Sequence, residues 1–366
     1  MRPIDHATNV PGNPVPLQQD YQRFLLLGSR RAPHTLYMHE RGYRSGTINT
    51  DSLGMRYSHC LGKRFSVAEH HGTKRVNLLV GGSTTLGIGA SSDEHTVASY
   101  LSALTGEVWL SLAGCGLNAT QELLMFLTHQ HRFGEIGHVV VLSGLNTLAH
   151  EALDEVLACE HGPEQALSYL GLLNSFNEGV QHTEGPRNAS FWQRLGQALA
   201  PRRAAPMPSW TLSAPDKRLA RAAETIGRTL RQWDRLLADG HATLTFILQP
   251  LLPWCRDSLP VAEQDMLDTL QQQPTNFDRL LADVFDSELH MAFFRRIKAQ
   301  AEAEAVPCYD MNCMLSSSPV FSEPLFVDRL HFNDRGNNAL AKVITAKLGL
   351  AQEKQANRKA TTIKLV

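Results

Sequence analysis

The chain has 366 residues, of which 43% are hydrophobic and 19% charged, enough apolar material for a large core and too much for a disordered chain. Thirty-five Lys and Arg against 36 Asp and Glu leave a formal charge of -1, so no overall positive field exists to hold a polyphosphate, and nucleic acid is not expected as a partner. No apolar run approaches the ~18 residues of a membrane span, and six cysteines (Cys60, Cys115, Cys159, Cys255, Cys308, Cys313) without a C-x-x-C spacing suit reduced, mostly buried thiols.

Length fits either two domains or one sheet-based domain carrying a long insertion. Residues 1–74 are rich in Pro, Gly, Asn and His, with an apolar patch at Phe24 to Leu27, and read as an irregular N-terminal extension. Met1 to Gln19 hold Asp5 and several prolines where a leader would be basic and then apolar, which sets the expectation of a cytoplasmic protein. Arg75 to Val80 reads as a buried strand entering the turn Gly81-Gly82-Ser83-Thr84-Thr85. Asp93 to Leu104 follows as a helix with an acidic first turn, then Glu107 to Leu112 as a strand and Thr120 to His131 as a helix. Gly137 to Leu142 is a third strand, whose nearly pure Val and Leu suit burial on both faces. The alternation predicts a parallel sheet with helices on both sides and right-handed crossovers.

Residues 148–240 show no strand pattern and are expected as a helical insertion. Its best helix places Leu219, Ala223, Ile226, Leu230, Trp233 and Leu237 at spacings of three and four, with Asp216 as candidate N-cap and Gly240 as stop. Lys217, Arg218, Arg221, Arg228, Arg231 and Arg235 fall elsewhere on its surface. The sheet resumes at Ala242 to Leu248, helical stretches run to about Ala305, and a short strand falls near Val306 to Tyr309. Arg335 to Leu348 closes the domain as a helix, and residues 351–366 are a basic tail. The expected fold over residues 75–350 is an α/β three-layer sandwich, flavodoxin-like, with a parallel five-stranded sheet.

In an open parallel sheet, reactive groups gather at the carboxyl ends of the strands. Ser83 follows the first strand, Ala113-Gly114-Cys115-Gly116 the second, and Ser143-Gly144-Leu145-Asn146 the third. Near the other end of the chain Asp328 stands three residues before His331, a spacing that one turn can hold. Acyl transfer by a serine needs a base, a carboxylate to orient it and donors for the oxyanion, and residues of each type are present. Taken singly, Gly-Gly-Ser-Thr-Thr also reads as a helix-start turn, Asp-x-x-His as a surface turn and Asn146 as a helix cap. Their common order and strand-end placement favour the chemical reading. Gly82 to Gly87 lacks the Lys and Ser/Thr of a phosphate loop, and His70-His71 and His129-x-His131 lack a spaced third ligand, so no metal or other cofactor is expected.

On these blocks the sequence resembles the SGNH, or GDSL-like, hydrolase superfamily. The blocks are Gly81 to Thr85, Ser111 to Leu123 (SLAGCGLNATQEL), Gly144-Leu145-Asn146 and Asp328-Arg329-Leu330-His331, in the family's order. Upstream, Asn49 to Arg56 (NTDSLGMR) is similar to the N-S-x-G-x-R segment of the branch with a GGST serine block. The resemblance covers residues 48–156 and 242–345. It implies a serine-dependent acyl-ester or thioester hydrolase of small or carrier-bound substrates. Ser83 would be nucleophile, His331 base and Asp328 its orienter, with the Ser83 and Gly116 N–H groups and the Asn146 amide as oxyanion donors. Transfer of the acyl group to an alcohol or amine, and a non-catalytic binding or regulatory role on the same scaffold, are the alternatives. Three positions depart from the family pattern: Gly82 and Thr147 stand where aspartate is common, and Ser111 where asparagine is usual. The insertion leaves just after Asn146, so it is expected either as a lid that selects the acyl group or as a packed helix with a solvated basic face.

Overall fold

The computed structural model describes residues 20–21, 23–25, 30–31, 37–70, 72, 75–152, 213–272, 282 and 285–350. Five strands form one parallel sheet: β1 (Val76–Gly81), β2 (Trp109–Ala113), β3 (Ile136–Ser143), β4 (Thr243–Leu248) and β5 (Cys308–Asp310), in the spatial order β2-β1-β3-β4-β5. This is the doubly wound order, whose reversal between β1 and β3 opens a crevice at the carboxyl ends of those two strands. Side chains alternate between the faces with period two. Leu78, Val80, Val139, Val141, Phe246 and Leu248 enter one apolar cluster, while Leu79, Val140, Leu142 and Ile247 enter the other.

The helices in chain order are α1 (Ser83–Leu86), α2 (Val97–Thr105), α3 (Ala119–His129), α4 (Leu145–His150), α5 (Pro215–Leu237), α6 (Leu252–Cys255), α7 (Val261–Gln272), α8 (Ser287–Ala303), α9 (Met311–Leu315) and α10 (Asp334–Lys347). Leu123 and Phe126 of α3, Leu219 and Trp233 of α5, and Phe293 and Ile297 of α8 cover the first face. Val97 and Leu101 of α2, with Leu340 and Ile344 of α10, cover the second. None of the described helices is long and apolar enough to cross a membrane.

Helix α5 differs from its sequence expectation in three ways. Ala214 precedes it as N-cap with no side-chain bond, Pro215 takes the first turn, and Asp216 lies inside the helix. Arg218 is fully buried and not on the surface, and Arg221 pairs with Glu151 at 2.8 Å. The whole apolar stripe packs against α3 and α8, so α5 is the crossover helix that carries the chain from β3 to β4. Ser213 N–H donates to Ala152 O at 3.1 Å, so the two described residues that flank 153–212 meet, and residues 153–212 lie outside the described part.

Among the described residues of the N-terminal part, expected as an irregular extension, there is a short antiparallel pairing and a buried apolar set. Ser58–Cys60 pairs antiparallel with Lys63–Phe65, and Ile48, Met55 and Val67 are buried. Its anchor is Arg56, whose Nε meets Asp93 at 2.7 Å while the guanidinium donates to the carbonyls of Thr47, Leu86 and Gly87. Tyr21 Oη donates to Ala90 O at 2.6 Å, with Gly87 O 3.0 Å away. Of the cysteines, Cys60 and Cys115 are buried as expected, but Cys255 and Cys308 are half-buried and Cys313 is exposed, while Cys159 falls outside the described residues.

Candidate active site

Strand β1 ends at Gly81, where a side chain has no room: a Cβ would stand 2.2 Å from Leu142 O. The chain turns through Gly82 into α1, which starts at Ser83 and closes at Gly87, left-handed at φ +87, where glycine is favoured. Thr85 Oγ1 donates to Leu142 O at 3.1 Å and fixes the turn to β3. The Ser83 hydroxyl is thereby held at the mouth of the crevice.

From the opposite end of the chain, His331 Nε2 lies 2.7 Å from Ser83 Oγ, and its Nδ1 lies 2.6 Å from Asp328 Oδ2. Asp328 Oδ1 accepts the N–H groups of Leu330 and His331. Burial works to raise the Asp328 pKa, but the His331 charge and hydrogen bond and those two N–H groups outweigh it and leave the carboxyl below its ordinary value. An ionised Asp328 requires the proton of the neutral imidazole on Nδ1, which leaves the Nε2 lone pair facing the serine hydroxyl.

The loop that carries this pair is tied down at several points. Val327 N–H donates to His331 O, Phe326 and Phe332 form an antiparallel bridge, and Asn333 caps α10 through Gly336 N–H. The buried Glu263 accepts the N–H groups of Leu325 and Phe326, and Leu252 N–H donates to Arg329 O. Thr84 Oγ1 donates to Leu330 O and accepts from the buried Gln249 amide, which joins serine turn, histidine loop and the end of β4. At Gly89 a Cβ would meet Phe332 O at 2.4 Å, so this glycine allows the loop to approach α1.

The other wall is the turn after β2. Gly114 N–H donates to Gly81 O, Cys115 N–H to His39 Nε2 at 3.0 Å, and Leu117 N–H to Gly114 O. Gly116 is left-handed at φ +74, and its N–H has no acceptor among the described residues. The Ser83 N–H opens a helix and so has no intrahelical acceptor. Asn146 does not cap α4, which Gly144 opens at φ +122; it lies inside that helix, buried, with Nδ2 donating to Leu117 O at 3.0 Å. The same Nδ2 would stand 2.4 Å from a Cβ on Gly82, so the amide lies directly over the serine turn. Only one of its two hydrogens is taken by Leu117. Burial pushes the Cys115 thiol up to about 12, so it stays protonated and is no rival nucleophile.

All five residues singled out from the sequence therefore gather at the β1/β3 reversal. The departures from the family pattern also find physical reasons. Gly82 makes room for Asn146, the Ser111 hydroxyl donates to Thr85 O at 3.4 Å, and Thr147 Oγ1 accepts Ala119 N–H at the start of α3. Sequence reasoning missed His39, His150, Gln249 and Glu122. His150 Nε2 lies 3.2 Å from Gly116 O, and the Ser143 hydroxyl donates to Glu122 at 2.7 Å. No short motif marks these four; the signal was only polar residues amid apolar neighbours. Among the described residues, no group of three or more His, Cys, Asp or Glu is placed to hold a metal ion.

Fold and geometry together define a class: a doubly wound parallel α/β protein with a serine, histidine and aspartate hydrogen-bonded in series at its switch point. No family model matches the chain, and no curated protein matches it. Among solved structures it is similar to an extracellular lipase from Streptomyces rimosus, at 12% identity over 75% of this chain and 99% of that one, TM-score 0.40. It is also similar to a member of the lipolytic protein G-D-S-L family from Veillonella parvula, at 11% identity over 74% and 96%, TM-score 0.37. A lipase/acylhydrolase from Enterococcus faecalis aligns at 12% identity over 75% and 95%, TM-score 0.34.

Proposed function

We propose that the protein is a serine-dependent hydrolase of acyl esters or thioesters, of the SGNH or GDSL-like kind. The observation that carries the reading is the unbroken hydrogen-bond series from Ser83 Oγ through His331 to Asp328. His331 Nε2 takes the hydroxyl proton as Oγ attacks the acyl carbonyl, and Asp328 holds the imidazolium that forms. The negative oxygen is met by the Ser83 and Gly116 N–H groups and the second Asn146 amide hydrogen. Collapse expels the leaving group with the proton from His331, and water releases the acyl group from Ser83 by the same steps.

The test is turnover of p-nitrophenyl esters of graded chain length and of acyl thioesters, with a fluorophosphonate that labels an activated serine. Ser83→Ala should abolish both turnover and labelling without loss of fold, since the residue contributes little to the core. Asp328→Asn should cost roughly 10⁴ in rate through the wrong histidine tautomer, as the same change does in serine proteases. Full activity in either variant would overturn the assignment.

A further inference from the structure

The turn that carries the Gly116 N–H has the sequence Gly-Cys-Gly over residues 114–116, the least restricted backbone in the site's wall. An oxyanion donor works only if its nitrogen stands about 2.7 to 3.1 Å from where the negative oxygen forms, so drift of a fraction of an ångström forfeits its effect. Two buried histidines grip this turn from opposite sides. His39, from the N-terminal part, accepts the Cys115 N–H on Nε2 at 3.0 Å. His150, from the last turn of α4, lies with Nε2 3.2 Å from Gly116 O, while its Nδ1 is 3.3 Å from the Asn118 amide nitrogen. The bonds hold the N–H just before the Cys115–Gly116 peptide and the C=O just after it.

The partners dictate opposite tautomers. The Cys115 N–H can only donate, so His39 Nε2 must carry a lone pair and its proton must be on Nδ1. Gly116 O can only accept, so His150 must carry its proton on Nε2, and its Nδ1 then accepts from the Asn118 amide. Neither arrangement survives double protonation of His39 or loss of the ring nitrogens. Burial suits both to the neutral form, pushing each down to about 4. His39 is also held by packing. His39 packs 4.8 Å from the Phe24 ring, and the backbone of Gly54 lies so close that a Cβ there would meet His39 O at 2.5 Å.

We propose that His39 and His150 are positioning residues that clamp the Cys115–Gly116 turn so that the Gly116 N–H can serve the oxyanion. This rests on the serine-hydrolase reading above. A merely structural role would move stability, whereas the clamp moves the transition state.

Two measurements test it. Nitrogen-15 spectra of histidine-labelled protein at pH 7, assigned through His39→Gln and His150→Gln, should show His39 protonated on Nδ1 and His150 on Nε2. Either ring in the other tautomer, or as imidazolium, overturns the proposal, and this readout needs no turnover. In kinetics, His39→Phe and His150→Phe keep the ring volume and remove the nitrogens. Each should lower kcat at least about tenfold, towards the ~10² to 10³ that loss of a whole donor costs, with KM within about twofold. His39→Gln, whose side-chain oxygen can still accept the Cys115 N–H, should recover most of the loss even if the Phe variant fails to fold. Unchanged kcat in both Phe variants, beside an inactive Ser83→Ala, would refute the clamp and leave the hydrolase standing. An active Ser83→Ala would remove the hydrolase reading itself, and with it the catalytic purpose of the clamp.

Discussion

Glu122 offers a test of the interior in which the sign and size of an effect follow from the contacts. It lies on α3 with 1% of its surface exposed. One carboxyl oxygen accepts the Ser143 hydroxyl at 2.7 Å, and the other has no hydrogen-bond partner among the described residues. Burial pushes the carboxyl from 4.5 up to about 8, with the Ser143 hydrogen bond working the other way. The folded protein thus keeps a proton that the unfolded chain gives up near pH 4.5, so folding gains most from this group below that pH. The gain is lost as pH rises through about 8. Each tenfold difference in proton affinity between the folded and unfolded chain is worth ~1.4 kcal/mol, so the whole window amounts to roughly 5 kcal/mol. Glu122→Gln keeps the oxygen that accepts from Ser143 and cannot ionise. Melting temperatures of the two proteins should therefore be close near pH 4.5, and the Gln variant should pull ahead as pH rises. At ~2 °C per kcal/mol for a chain of this size, the gap should reach ~10 °C at pH 8 and stay level above it. Paired thermal scans from pH 4.5 to 9 read it directly, because every other titration is common to both proteins. A gap that stays flat, or that closes with rising pH, would refute the reasoning.

Asn146→Ala should lower kcat by ~10² to 10³ with KM nearly unchanged and little shift in melting temperature; a fall of several degrees at constant kcat would return Asn146 to a structural role. Gly82→Ala should push the same amide off its place and lower kcat by ~10-fold or more, yet add little on top of Asn146→Ala, because the two act through one group. Additive losses would show that Gly82 matters for another reason. Arg56→Met should destabilise the protein by ~3 to 5 kcal/mol, since it leaves Asp93 buried without its cation and takes the guanidinium donor from the carbonyls of Thr47 and Leu86. A loss below ~1 kcal/mol in denaturant titrations would show that this ion pair does not fasten the N-terminal part.

The sheet was legible in the sequence because its signal is local: near-continuous Val and Leu over each central strand and a helical period between them. The convergence of Ser83, Gly116 and Asn146 was legible for a similar reason, since a doubly wound sheet brings strand ends together whatever the loops do. What could not be read was contact between distant segments. Arg218 sits in a run of basic residues, and only the packing of α5 against two other helices shows that it is buried. His39 belongs to a stretch without periodicity, and its use depends on where a turn some seventy residues later comes to rest. The alternative reading of Asn146 as a helix cap rested on Asn being a good cap, but Gly144 opens α4 two residues earlier and leaves the Asn146 side chain free for Leu117.

The two sides of the site depend on the rest of the chain in different ways. His331 and Asp328 are held by α6, α7 and α10, all within the last third of the sequence. The side that carries Gly116 and Asn146 instead leans on outlying segments: His39 comes from before the sheet, and His150 from the helix that ends just before residues 153–212. Ala152 and Ser213, the described residues on either side of that stretch, are hydrogen-bonded to each other. In α4, Asn146 and His150 sit four residues apart on one face. Under the proposed mechanism, substitutions in α4 would alter how well the negative oxygen is held before they altered how the proton is taken.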